Sequence, residues 1–110
     1  IIAIEEYFAR GVKDVMAEAR EIVGADKTSV SYDIAFVYPS YAPGTGTPEI
    51  GGLTTPQAME LIRALRGLKI VGCDLVEVSP PYDPSGNTAT IAANLLYEML
   101  CALPGVPYRT

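Results

Sequence analysis

The segment Ser31–Glu49, SYDIAFVYPSYAPGTGTPE, changes character in its middle. Its first half continues from Thr28 as TSVSYDIAF (28–36), a run rich in Val, Thr, Tyr and Ile that predicts a strand. Its second half opens a loop from about Tyr38 to Leu53, punctuated by Pro39, Pro43, Gly44, Gly46, Pro48, Gly51 and Gly52. An acid, Asp33, stands near the junction. Two residues further, on the same face if the strand continues, the chain holds Ala35 rather than a second acid.

Working outward, Thr55 is placed to cap a helix, with Pro56 at its first position and Ala58, Leu61, Ile62 and Leu65 on one apolar face. Arg63 and Arg66 sit near its C-terminal end and Gly67 follows, as the helix dipole and a left-handed stop favour. LKIVGCDLVEV (68–78) is a second, nearly continuous apolar strand carrying Asp74 and Glu77, which point to opposite faces. SPPYDPSGN (79–87) is a turn-rich loop with Asn87 as the expected cap of the next helix. That helix, TATIAANLLYEMLCAL (88–103), is apolar almost all round, and Pro104 ends it. Upstream, VKDVMAEAREIV (12–23) places Val12, Val15, Met16, Ala19, Ile22 and Val23 at helical spacing, with Gly24 as the stop. The order is α-β-α-β-α. Apolar strands separated by helices predict an α/β fold, with a parallel sheet covered on both faces. Two strands make a poor independent sheet, so residues 1–110 are expected to form part of one α/β/α sandwich that needs more chain, or other chains.

Composition narrows the chemistry. Net charge is −5 and the eight Lys and Arg are scattered, so the basic footprint that nucleic acid requires is missing. No apolar run is long enough to span a bilayer. Cys73 and Cys101 lie in apolar runs and are expected to be buried thiols in a reducing, intracellular setting, cytoplasmic or mitochondrial. The chain contains no histidine, which excludes a Ser-His-Asp or Cys-His relay and a His-ligated zinc built from its own residues.

Ligands of open α/β sheets bind beyond the carboxyl ends of the strands. Asp33 and Glu77 both stand there, each before an irregular loop, and parallel pairing would bring them to one edge. The loop APGTGTP is not a P-loop, because no Gly-Lys-Ser/Thr follows. Its backbone and the Thr45 and Thr47 hydroxyls are suited to lining a pocket.

From about Glu5 to Val106 the chain resembles the C-terminal part of agmatinases, in the ureohydrolase (arginase) superfamily. The resemblance rests on APGTGTPE (42–49), GGLT (51–54) and GCDLVEVSPPYD (72–83). It implies a three-layer α/β/α fold and a pair of manganese ions whose bridging water or hydroxide attacks a guanidinium carbon and releases urea. It also implies a small guanidino substrate such as agmatine, and a trimer or hexamer of identical chains. The family's metal motif S-F-D-I-D-x-x-D-P maps Asp33 onto a manganese ligand. Its second ligand position is Ala35, its later Asp is Tyr38, and Phe36 and Val37 also depart from it. The family's histidine motifs precede the matched region, so this chain offers one ligand and cannot complete the pair. By the same mapping Glu77 pairs with the substrate guanidinium and Thr47 lies against it. The expected function is thus an agmatinase-like amidinohydrolase represented by its C-terminal part. The alternatives are a non-catalytic binding or assembly module, and a metal-free acidic pocket around Asp33 and Glu77.

Overall fold

A computed structural model describes residues 1–107. Helices α1 (Ile4–Arg10), α2 (Val12–Val23), α3 (Thr55–Arg63) and α4 (Asn87–Ala102) surround strands β1 (Thr28–Asp33) and β2 (Ile70–Val76). The strands pair in parallel, in register from Ser29 opposite Gly72 to Asp33 opposite Val76. Tyr32, Cys73 and Leu75 turn toward α3 and α4, whose Ala58, Ile62, Ala92, Leu95 and Met99 complete the main core. Ile62, Leu95 and Met99 are essentially fully buried, and each such side chain contributes about 1.5–3 kcal/mol relative to exposure. A second cluster joins Tyr7, Val12, Val15 and Met16 to Leu53.

Several elements differ from the sequence reading, each for a local physical reason. Helix α1 was not anticipated from IEEYFAR; Arg10 ties it to α2 through Asp14 and Glu18 at 2.5 and 2.7 Å, and pairs with Glu6 of α1 at 2.7 Å. Ile22, expected on the buried face of α2, is 77% exposed. The cap of α3 is Thr54, not Thr55: its hydroxyl accepts from the Gln57 amide while Gln57 Oε1 accepts from the Thr54 amide, a reciprocal capping box. Asn87 is the first residue of α4 rather than its cap. The free amides of Thr88 and Ala89 are instead met by the two oxygens of Asp83, at 3.0 and 2.9 Å. Arg66 falls beyond α3, and its carbonyl, with that of Ala64, accepts from the Arg20 guanidinium.

Only one face of the sheet is covered among the described residues. Ser29, Ser31, Asp33, Asp74 and Val76 alternate onto the other face, where the Ser31 hydroxyl donates to Asp74 Oδ1 at 2.6 Å. Val71 and Val76 are 61% and 40% exposed. Helix α4 likewise leaves Leu96, Tyr97 and Leu100 exposed, as its all-round apolarity implies. Cys73 and Cys101 are free thiols, half-buried. No helix among the described residues is long and apolar enough to cross a membrane.

The long loop is held rigidly. At its base the Leu53 amide donates to the Phe36 carbonyl and the Tyr38 amide to the Leu53 carbonyl, both at 2.8 Å. Gly52 permits that closure, since a Cβ there would sit 2.6 Å from the Phe36 carbonyl oxygen. Midway, Gly44 presses on the start of α4. Its amide donates to Thr88 Oγ1 at 2.8 Å, and its carbonyl accepts from the Ser79 amide at 2.8 Å. The Asn87 side-chain amide donates to the Tyr41 carbonyl. Asp83 thus anchors both α4 and the surface on which the loop rests, and the amide of Ala89 chiefly, with the amide and hydroxyl of Thr88, holds its carboxyl below the ordinary range against the opposing effect of burial.

Two outcomes follow from this docking. A Cβ at Gly44 would lie 2.5 Å from Asp83 Cβ and 2.8 Å from Thr88 Oγ1, whereas one at Gly46 meets nothing within 4 Å. Urea unfolding should show Gly44→Ala destabilised by about 1–3 kcal/mol, as overpacking costs, with Gly46→Ala nearly neutral; equal effects would contradict the tight docking. For Asp83 the folded pKa is depressed, so its stabilisation is complete above the unfolded value of ~4 and lost as pH falls through the lower folded value. Asp83→Asn should therefore lower Tm at neutral pH and flatten the loss of stability below that value. An unchanged acid limb would remove Asp83 from this role.

Candidate functional site

Parallel pairing delivers Asp33 and Glu77 to the same sheet edge. Asp33 is the last residue of β1 and lies opposite Val76, so Glu77 follows immediately beyond its partner. Both side chains are exposed. Glu77 is also the one described residue other than glycine with positive φ, at 70°. A side chain pays about 1–2 kcal/mol to sit in the left-handed region, and such outliers cluster where geometry serves a ligand.

The strand does not continue to Phe36 as the sequence suggested. Ile34–Phe36 forms a 3-10 turn, with Asp33 at its head and Asp33 Oδ1 accepting from the Ala35 amide at 2.8 Å. The alternation of a strand ends there. Asp33 lines a cleft with Ser31, Tyr32, Phe36 and Leu61, while Ala35 lines another with Ile4, Phe36, Glu49 and Ile50. Tyr32 stands edge-on to Phe36, ring centroids 6.5 Å apart. Its hydroxyl is buried without a hydrogen-bond partner, and burial pushes its ionisation well above the ordinary range.

The loops frame a third cleft, lined by Pro43, Thr45, Gly46, Pro48 and Tyr82. Thr45 is buried and its hydroxyl has no partner, leaving a donor available to a ligand. Thr47 is exposed, and no hydrogen bond among the described residues joins it to Asp33 or Glu77. Gly44, Asp83 and Thr88, which fix this loop, escaped the sequence reading; the one signal was an Asp four residues ahead of the helix, within capping reach if the turn between folds back.

The residues present do not fit a manganese pair. Asp33 keeps one oxygen on the Ala35 amide, Ala35 offers no donor, and Tyr38 has no carboxylate. Among the described residues no three Cys, Asp or Glu side chains converge as metal ligands would.

Comparison with known proteins places this geometry. The arginase-family model matches residues 1–102. The chain is 59% identical over 109 residues to guanidinobutyrase of Pseudomonas aeruginosa, covering 99% of this chain and 34% of that protein. It is 56% identical over 106 residues to the mitochondrial guanidino acid hydrolase of Homo sapiens, covering 96% and 30%. A crystal structure of a hypothetical agmatinase from Burkholderia thailandensis superposes with a TM-score of 0.85 at 37% identity, over 92% of this chain and 32% of that one. The chain thus spans about a third of the length of the curated relatives it matches. The family match over residues 1–102 and this superposition show that the chain belongs to the arginase family, with an α/β arginase-like fold.

Proposed function

We propose that this chain carries the guanidinium-facing part of an arginase-family amidinohydrolase, which cleaves a guanidino compound with water to an amine and urea. The observation that carries the reading is the strained Glu77, at φ 70° beside Asp33 on the strand-end edge. A carboxylate is shaped for a bidentate contact with a planar guanidinium. Glu77 stands exposed one residue beyond the end of β2. Asp33 adds a second negative charge one register position away, and neither the 28–62 stretch nor the 70–107 stretch contains a Lys or Arg to neutralise the pair. The Thr45 hydroxyl and the exposed Thr47 supply polar contacts from the loop. In the full domain the chain forms the C-terminal part, and agmatine is the proposed substrate, with guanidinobutyrate, named for the relative from P. aeruginosa, the nearest competitor. Manganese as cofactor, a trimeric or hexameric assembly and a role in polyamine biosynthesis extend the same proposal by resemblance.

A second reading has its own support. Ala35, Tyr38 and the absence of converging ligands among the described residues favour a non-catalytic descendant that binds guanidino compounds or amines without hydrolysing them. Urea release by the natural-length polypeptide separates the two.

The guanidinium contact is tested by calorimetric titration with agmatine. Glu77→Gln should weaken binding at least tenfold, as loss of a charge-assisted pair costs roughly 1.5–3 kcal/mol; unaltered affinity would remove Glu77 from the site. The strain is tested separately by stability. Glu77→Gly and Glu77→Ala both delete the carboxylate, but only glycine accepts the backbone freely, so Gly should be the more stable of the two by about 1 kcal/mol. The reverse order would show that the backbone is not strained.

A further inference from the structure

We infer that the cleft between the two loops, lined by Pro43, Thr45, Gly46, Pro48 and Tyr82, is a subsite for the uncharged aliphatic stem of the guanidino compound. The loops are those that follow Asp33 and Glu77, and the Ser79 amide joins them by donating to the Gly44 carbonyl at 2.8 Å. Glu77 stands two residues before that bond and Thr45 one residue after it, so the cleft continues from the strand-end edge. Its walls are set before any ligand arrives. The proline rings fix φ at positions 43 and 48, and the Thr45 amide closes a turn on the Pro43 carbonyl at 2.9 Å. Tyr82 ends the 3-10 turn Pro80–Tyr82, between its own amide on the Ser79 carbonyl and the buried Asp83. Its side chain is nevertheless 60% exposed, so it borders the cleft without belonging to the core. A fixed aromatic and two prolines supply the apolar surface that ordinarily lines ligand clefts, here around about 370 Å³. No Asp, Glu, Lys or Arg among the described residues lines it. The cleft thus has nothing to pair with a terminal ammonium or carboxylate, and what it shelters from water at least cost is methylene. A charged far end stays in solvent at the exposed rim of Pro48 and Tyr82. The Thr45 hydroxyl, buried without a partner, can accept from an N–H that a guanidinium keeps free after a bidentate contact with Glu77.

The inference rests on the guanidinium reading of Glu77, and two ligands separate their failures. Methylguanidine carries little beyond the guanidinium, whereas butylguanidine adds an uncharged stem. Both are titrated calorimetrically into the polypeptide at its natural length. Butylguanidine should bind roughly tenfold or more tightly, since each further buried methylene tightens binding by up to about fourfold. Tyr82→Ala removes a wall. Gly46→Leu fills the cleft, because a Cβ at Gly46 meets nothing within 4 Å and a larger side chain has room to extend. Each variant should bring the two affinities within about threefold of each other by losing the methylene burial, with methylguanidine binding little changed. Glu77→Gln should instead weaken both ligands and keep their ratio. Equal affinities in the unaltered chain, or a preference for butylguanidine that survives both cleft variants, would overturn the inference while leaving the Glu77 reading intact. Methylguanidine binding indifferent to Glu77→Gln would sink that reading and the subsite with it. Agmatine and guanidinobutyrate, which differ in terminal charge, should lose affinity on Tyr82→Ala by the same factor. A loss confined to one of them would show that the cleft reads charge, and would overturn the inference equally.

Discussion

The contact on which the rest depends is that of Gly44 with the start of α4. At this point a loop amide, the Thr88 hydroxyl and the Asp83 carboxylate share a space with no room for a Cβ. Asp83 satisfies the amides that a helix start leaves open, and the loop then rests on the satisfied helix end. Without the cap, the buried amide of Thr88 would be left unpaired beside the loop, a costly arrangement. The second loop is bound into the same node through Ser79 and Gly44. Ser79 follows the positive-φ Glu77 by two residues, so the node lies next to it along the chain.

The edge so built has two unlike halves. On the β2 side, backbone strain is kept at a residue whose side chain makes no hydrogen bond among the described residues, which is intelligible if a ligand completes it. On the β1 side, the acid is absorbed into local structure by capping its own turn. Asp33 is thus stabilising the fold where Glu77 strains it. The uncovered sheet face, with Val71 and Val76 exposed and both strand edges unpaired among the described residues, is what a parallel sheet shows when its covering layer lies outside the segment. That matches a chain covering about a third of its relatives.

How much of this was legible in the sequence depended on the range of the interaction. The apolar periodicity of Ala58, Leu61, Ile62 and Leu65 and the run LKIVGCDLV announced α3 and β2, because their burial follows from local pattern. The common edge of Asp33 and Glu77 followed from parallel pairing alone. The end of β1 did not: TSVSYDIAF keeps strand propensity past Asp33, and only the Asp33-to-Ala35 hydrogen bond and the Leu53 bridge to Val37 turn the chain away. Thr54 against Thr55, and Asp83 against Asn87, were misplaced because several residues near each helix start can cap, and the choice is made by what packs against them. Helix α1 was hidden in a short polar-flanked segment whose stability comes from Tyr7 and from Arg10 reaching α2. Glu77's backbone was illegible, since nothing in VEVSP demands a left-handed residue.

The central claim is that the strand-end edge, and not another concavity of the chain, receives a guanidinium. The most direct measurement is an NMR amide-shift titration of the natural-length polypeptide with agmatine. The account predicts saturable shifts confined to Asp33, Thr45–Thr47 and Glu77–Ser79. The contradicting result is an unshifted edge, with shifts gathered instead at the cleft lined by Tyr7, Arg10, Gln57 and Glu60 on the α1–α2 side.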